Sequence, residues 1–341
     1  MYKLVKESKA EIYIPKEDKI SKSLPVFYNK DMKIGRDVVI HLINNLKPQH
    51  ICDTMAGTGI RSIRIAKETS STNILANDIN PEAVKLIKKN AKHNNVELEI
   101  HNKDLRILLQ EQEGFDYIDI DPFGSPTYFL DSASSLKEKG VLALTATDLG
   151  CLYGKYINTC KRKYSSTPLY CPFKNEIGLR ILAQKVITTA SKYDKALTPI
   201  FSHVTQHYAR MYFQSSKSKT KTNELLKQIK YIEYDPKNLE LNITDYPTHN
   251  VAGPIFTGNL WEKSLTEKFT LIPYLKEESE VNTIGYYNIP RICKKLKINC
   301  SKKINTILEE IKSQGYQASR THLSLQGIKS NIPHKEFLKI I

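Results

Sequence analysis

The stretch Phe115-Asp116-Tyr117-Ile118-Asp119-Ile120-Asp121-Pro122-Phe123-Gly124-Ser125-Pro126 decides the fold. Tyr117, Ile118 and Ile120 give its first half β-prone bulk, and Pro122 and Gly124 stop the strand. Asp121 therefore ends a strand, and the proline after it holds its backbone extended. Phe123 follows two residues on. In an α/β sheet the carboxyl ends of strands form the ligand crevice. An acid held there beside a flat ring suits a planar base with an exocyclic amine. By itself the stretch reads equally well as a buried strand whose Asp121 caps the next turn.

The flanking chain repeats the pattern. Arg36-Asp37 opens a helix through Leu46, with Val38, Val39, Leu42 and Ile43 as its apolar side and Pro48 as its end. Ile51-Cys52-Asp53 is a short strand that runs into Thr54-Met55-Ala56-Gly57-Thr58-Gly59 and then a helix. Strand, glycine turn and helix present backbone N–H groups to a ligand. A dinucleotide enzyme uses Gly-x-Gly-x-x-Gly, with a pyrophosphate at the helix start. Here the order is Asp-x-x-x-Gly-x-Gly. A carboxylate at Asp53 repels a pyrophosphate and attracts a sulfonium and an amino group, as in S-adenosylmethionine. Asn73 to Asp78 is a second strand whose terminal acid can accept ribose hydroxyls. Pro81 starts a helix with Val84, Ile87 and Ala91 inward and four lysines outward. Leu98 to His101 is a third strand. Asp104 after it is placed to bond an adenine amine, and also to cap a helix over 105–112. Val141 to Thr145 is a fifth strand, with Thr147-Asp148 at its end. Asp53, Asp78, Asp104 and Asp121 thus end successive strands that alternate with helices, the pattern of a doubly wound parallel α/β sheet.

The outer parts are less regular. Residues 1–35 read as an irregular charged lead-in in which Phe27 and Tyr28 either pack on the core or cover a site. Residues 151–176 read as a loop, with Lys161-Arg162-Lys163-Tyr164 its clearest basic cluster. Leu179, Leu182, Ala183, Val186 and Ala190 mark an amphipathic helix. Segments 199–202 and 208–213 look like closing strands, Ser215 to Asn223 an exposed mobile tip, and the passage to Trp261 β-rich. Beyond it, 289–296 and a helix capped by Ser301 and ended by Gly315 are followed by a strand over 315–322. This last part reads as a small basic α/β domain that grips RNA.

Bulk properties narrow the function. The 341 residues suggest two domains, and 40% apolar content marks a globular chain. A formal net charge of +15 favours a polyanionic partner, nucleic acid before membrane. No run reaches the roughly 18 apolar residues of a membrane helix. The first residues lack the apolar core of a signal peptide. The six cysteines, Cys52, Cys151, Cys160, Cys171, Cys293 and Cys300, form no Cys-x-x-Cys pair and read as reduced thiols. A cytoplasmic protein, a monomer, is expected.

The chain resembles the tRNA guanine-26 N2-dimethyltransferases. The resemblance rests on Phe27-Tyr28-Asn29 with Met32 and Arg36-Asp37, Asp53 to Arg61, Asn77 to Pro81 and Asp119 to Pro126. It continues through Thr145 to Asp148, Tyr193-Asp194-Lys195, His207 to Arg210, Gly253-Pro254 with Trp261, and Ala318 to His322. It implies a class I, Rossmann-like methyltransferase domain over 1–260 and a smaller α/β tRNA-binding domain over 261–341. It implies a donor pocket of Arg36, Arg61, Asp78, Ile79, Asp104, Leu105 and Asp121, beside the turn of Asp53, Gly57 and Gly59. It implies a flipped guanine between Phe27 and Phe123, with Asp121 and a carbonyl near Pro122 on its amine. Many relatives carry cysteine pairs before the Gly-Pro stretch. Tyr231 to Val251 has none, so no metal is expected and packing should hold that hairpin. Rival readings are an adenine or cytosine amino-methyltransferase on RNA or DNA, a nicotinamide oxidoreductase, and a non-catalytic RNA-binding protein on the same scaffold.

Overall fold

The computed structural model describes residues 2–16, 25–205, 207–247, 251–299 and 301–341; Cys300 lies outside them. In chain order the first elements are β1 (Tyr2–Glu7), β2 (Ala10–Pro15), α1 (Lys33–Leu46), β3 (His50–Asp53), α2 (Ile60–Glu68) and β4 (Asn73–Asn77). α3 (Pro81–His93), β5 (Glu99–His101), α4 (Leu105–Glu111), β6 (Phe115–Ile120) and β7 (Leu136–Ala146) follow. Then come α5 (Leu149–Leu152), α6 (Ile157–Tyr164), α7 (Lys174–Ser191), β8 (Lys195–Thr205), β9 (Tyr208–Lys217) and α8 (Lys219–Lys227). β10 (Ile229–Tyr234), β11 (Leu241–Thr244), β12 (Val251–Phe256), α9 (Lys263–Thr266) and α10 (Leu275–Ser279) lead to the C-terminal elements. These are β13 (Tyr287–Asn288), α11 (Ile289–Leu296), α12 (Ile304–Ser313), β14 (Ala318–Thr321), β15 (Ser324–Ser330) and α13 (His334–Ile340).

Packing divides the chain into two units. The first is Met1–Thr147 with Thr189–Thr198 and Tyr212–Lys219. Its sheet runs β5-β4-β3-β6-β7-β9-β8, and the pairs from β5 to β7 are parallel. The carboxyl ends of β3, β4, β5 and β6 therefore share one edge, as the recurring acids predict. Ile51, Leu75, Ile118 and Leu142 are fully or almost fully buried along these strands, because helices cover both faces of such a sheet.

The second unit is Asp148–Thr188 with Pro199–Met211 and Thr220–Ile341. It holds an antiparallel sheet β11-β10-β12 and a small sheet β13-β15-β14. α11, α12 and α13 pack on the small sheet through Ile292, Ile307, Ile311, Ile328 and Phe337.

Four expectations need correcting. The lead-in is not irregular: β1 and β2 pair antiparallel from Tyr2↔Pro15 to Glu7↔Ala10. Ala10, Ile12 and Ile14 alternate inward, a period-2 signal hidden among charges. Residues 151–176 are not a loop, because Cys160 and Tyr164, four residues apart, anchor α6. The tip over 215–223 is strand end and helix, with Ser215 and Thr222 buried. Ser301 caps nothing; Lys303 stands at the N-cap of α12.

Candidate active site

A cavity of about 530 Å³ opens in the first unit at the shared carboxyl edge of the strands. Each strand contributes the residues just past its end: Thr54 to Thr58 after β3, Asp78 and Ile79 after β4, Lys103 to Arg106 after β5, Asp121 to Phe123 after β6. The lead-in covers it with Phe27, Tyr28 and Asn29, and α1 adds Arg36.

At the floor, one guanidinium gathers three carboxylates. Arg61 donates from Nη1 to Asp53 Oδ1 at 2.9 Å, lies 3.0 Å from Asp119 Oδ1, and pairs with Asp121 through Nη2. Ser62 Oγ donates to Asp53 and Tyr117 Oη to Asp119. Register explains the grouping, because Asp53 and Asp119 are direct partners on parallel strands. Burial raises the Asp53 carboxyl above its ordinary value; Arg61 opposes the rise and Asp119 adds to it.

The glycine turn works through its backbone. Gly57 has φ +56°, and a Cβ there would come 3.1 Å from the Phe27 carbonyl, so the lead-in can cross the turn only over glycine. Its N–H donates to Asp78 Oδ2 at 2.8 Å, and Asn80 N–H to Oδ1 at 2.9 Å. Burial raises the Asp78 carboxyl, and those two bonds oppose it. Gly59 is the left-handed N-cap of α2.

Asp104 caps α4 by accepting from Arg106 N–H, and its carboxylate also takes the Arg106 guanidinium, which holds it below the usual carboxylate range. Arg36 is aimed by a bidentate pair with buried Glu7 at 2.7 and 2.6 Å. Burial works to raise Glu7, but Arg36 and Arg64 outweigh it and hold it low. Above them, burial and Glu7 push the Tyr28 phenol up to about 12.

The acid-proline-aromatic turn is clamped from the next strand. Thr147 Oγ1 accepts from Gly124 N–H at 2.6 Å, and Thr147 N–H donates back to Gly124 O at 2.9 Å. Phe123 is half exposed, and its ring meets that of Phe27 edge to face, centroids 4.8 Å apart. A base entering between them must turn and part the rings.

Residues 7–341 match the family model for N2,N2-dimethylguanosine tRNA methyltransferase. The chain belongs to that family. It is 35% identical to the tRNA (guanine(26)-N(2))-dimethyltransferase of Methanosphaera stadtmanae, over 99% of this chain and 96% of that protein. It is 34% identical to the tRNA (guanine(26)-N(2)/guanine(27)-N(2))-dimethyltransferase of Aquifex aeolicus, over 98% and 95%. Its fold superposes with TM-score 0.91, at 33% identity over 99% of both chains, on Trm1 from Pyrococcus horikoshii in complex with S-adenosyl-L-methionine. The fold is accordingly that of a Rossmann-like methyltransferase with a C-terminal domain.

The cavity brings together Phe27, Arg36, Gly57, Arg61, Asp78, Ile79, Asp104, Leu105, Asp121, Pro122 and Phe123. Asp53 and Gly59 do not line it; Asp53 is fully buried and touches it through Arg61. Sequence reasoning missed Glu7 and Asp119. Asp119 was legible, since its side chain follows from strand pairing with Asp53. Glu7 was not, because a hairpin brings it from 29 residues before Arg36.

In the second unit, β10 and the residues after it to 247 are held by packing. Ile232 is fully buried, Tyr234 meets Phe173 edge to face at 5.2 Å, and Leu239 packs against the C-terminal core. In the strand expected over 315–322, Thr321 and His322 turn inward. Thr321 Oγ1 and the His322 backbone N–H and ring Nδ1 all bond Glu278, at 2.7–2.8 Å. Arg320 lies over the Tyr274 ring. Among the described residues no helix is long and apolar enough to cross a membrane.

Proposed function

We propose that the chain transfers one or two methyl groups from S-adenosylmethionine to N2 of the guanine at position 26 of tRNA. The observation that carries the reading is Asp121, fastened by Arg61 at the strand end beside Phe123 and Phe27, in the cavity that also holds Asp78 and Asp104.

The residues present suit the donor. Asp78 and Asp104 are acceptors for hydroxyl and amine hydrogens, Arg36 is a cation for a carboxylate, and the side-chain-free Gly57 lets backbone approach. S-adenosylmethionine, when bound, supplies an electrophilic methyl group on a sulfonium. A guanine amine is a poor nucleophile because its lone pair is drawn into the ring. Asp121 accepts one of its N–H bonds, and a carbonyl at the Pro122 turn accepts the other, so the lone pair is aimed and positive charge on nitrogen is stabilised. Asp121 then takes the proton. One N–H survives the first transfer, which leaves the second chemically open. Phe27 and Phe123 hold the extruded base, whose extrusion costs least outside a regular helix. The C-terminal residues 261–341 bind tRNA backbone, and the enzyme works in the cytoplasm as a monomer.

The test is labelled methyl transfer to an unmodified tRNA transcript, beside a copy with guanine 26 changed to adenine. Label on the first alone, recovered as N2-methylated guanosine, is the expected result. Equal label on both would move the target elsewhere, guanine 27 being the first to check. Label on an adenine or cytosine amine would overturn the reading.

A further inference from the structure

We infer that residues 149–175 of the second unit form a preformed stacking and phosphate-binding platform for tRNA, separate from the catalytic cavity. The inference rests on the tRNA reading and names where the substrate is gripped. The segment runs from Leu149 to Asn175 with five cations, Lys155, Lys161, Arg162, Lys163 and Lys174, and no carboxylate. Its aromatics are interleaved with them. Tyr156 is 53% exposed and Tyr170 67% exposed, and Ile157 beside Tyr156 is also open.

Tyr156 is seated, not dangling: a Cβ at Gly150 would lie 2.9 Å from its ring, so glycine there lets the tyrosine come close to backbone. A cation lies near each exposed ring: Lys155 Nζ is 5.3 Å from the Tyr156 centroid, and Lys174 Nζ is 4.7 Å from that of Tyr170. Beneath, α6 is pinned by buried Cys160 and by Tyr164, whose hydroxyl donates to Asp148 at 2.7 Å. That leaves Lys161 and Arg162 outward on the same helix.

Lys163 is paired with Asp148 at the start of the segment, which leaves Lys155, Lys161, Arg162 and Lys174 around the exposed tyrosines. Exposed rings on a rigid base beside such cations are what a single-stranded or looped RNA segment needs. Bases or riboses stack without sequence preference, and phosphates pair with the cations. An anionic membrane would use the same charges and could take the tyrosines at its interface, and the vesicle arm of the experiment separates the two.

The experiment measures tRNA affinity at several salt concentrations for the full chain and for two folded variants, Tyr156→Ala/Tyr170→Ala and Lys155→Ala/Lys161→Ala/Arg162→Ala. The tyrosine pair should lose at least about fivefold affinity per ring, and Tyr156→Phe/Tyr170→Phe should restore it. The triple variant should lower the slope of log affinity against log salt by about two to three. For both, KM for tRNA rises while kcat at saturation, donor affinity and melting temperature stay as in the unaltered chain. Unchanged affinity and salt slope in folded variants would overturn the platform. So would binding to phosphatidylserine vesicles that the triple variant loses while tRNA affinity holds. Failure of the unaltered chain to methylate any tRNA would instead sink the functional reading, and the affinity series would still judge the platform.

Discussion

Each unit buries a cluster of charges, and the two are built to opposite ends. In the first, Arg61 pairs with Asp53, Asp119 and Asp121 at the floor of an open cavity. In the second, Glu176 pairs with Arg180 at 2.8 Å and with Lys329 at 2.9 Å, while Glu278 takes His322 and Thr321. There charges balance, and side chains are at most 2% exposed. A buried, balanced network holds structure. A half-open one whose Asp121 lines a cavity is placed to meet a cationic or N–H-bearing ligand. The difference also separates two stretches that carry the family resemblance: Asp121-Pro122-Phe123 lines a cavity, whereas Thr321 and His322 point into the protein.

The largest effect that would break this contrast is at Asp121. Asp121→Ala should cost about 10³-fold in kcat. Donor affinity, read by titration, should fall far less. Unaltered turnover would remove the first cluster from catalysis altogether. Next comes Glu278→Gln, which leaves His322 without its carboxylate while Lys329 keeps Glu176. It should destabilise the second unit by about 3 kcal/mol. The single tryptophan makes this readable: Trp261 is buried, donates to the Ser202 carbonyl, and has its ring 6.2 Å from that of His322. Its fluorescence during denaturant unfolding should show the loss, with kcat per folded molecule unchanged. A variant that kept its stability but lost turnover would make the second cluster functional.

A smaller change sharpens the picture of the first cluster. Thr147→Val keeps shape but removes the acceptor for Gly124 N–H. A lost bond of this kind is worth about 1–1.5 kcal/mol. The turn that carries Phe123 should loosen, and kcat should fall about tenfold with donor binding intact. Equal kcat would show that Pro122 and the backbone bond from Thr147 N–H to Gly124 O suffice to set the turn.

How much of this was legible follows from the range of the signals. The parallel core and the cavity edge were readable because each strand, its terminal acid and the next helix lie within a few residues. Asp104 could be read both as a cap and as a cavity acid for the same reason. Glu7 and Glu278 were not readable. Each meets its partner through tertiary folding, Glu7 by a hairpin returning to α1 and α2, Glu278 by α10 meeting β14. A lone glutamate in a charged stretch carries no local mark of burial. The inward turn of Thr321 and His322 was invisible for the same reason: the strand was expected, but not which face was covered.

The finest probe of the contrast is proton linkage in the sealed unit. His203 is fully buried, and burial first, then Arg210 and His322, hold its pKa well below 6.5. The folded chain therefore stays deprotonated at this ring while the unfolded chain takes a proton below about pH 6.5. Stability tied to His203 is complete above that pH and drains as pH falls. Between pH 6.5 and 5.5 the loss should be about 1 kcal/mol. Glu278 follows at lower pH. Burial works to raise its carboxyl, but His322 and Lys329 hold it below its ordinary 4.5, so its share is kept until acid passes that value. His203→Gln should flatten the upper window alone when unfolding is followed at Trp261. If the slope between pH 6.5 and 5.5 survives that substitution, the proton is taken up elsewhere, and the second unit is less tightly sealed than its geometry states.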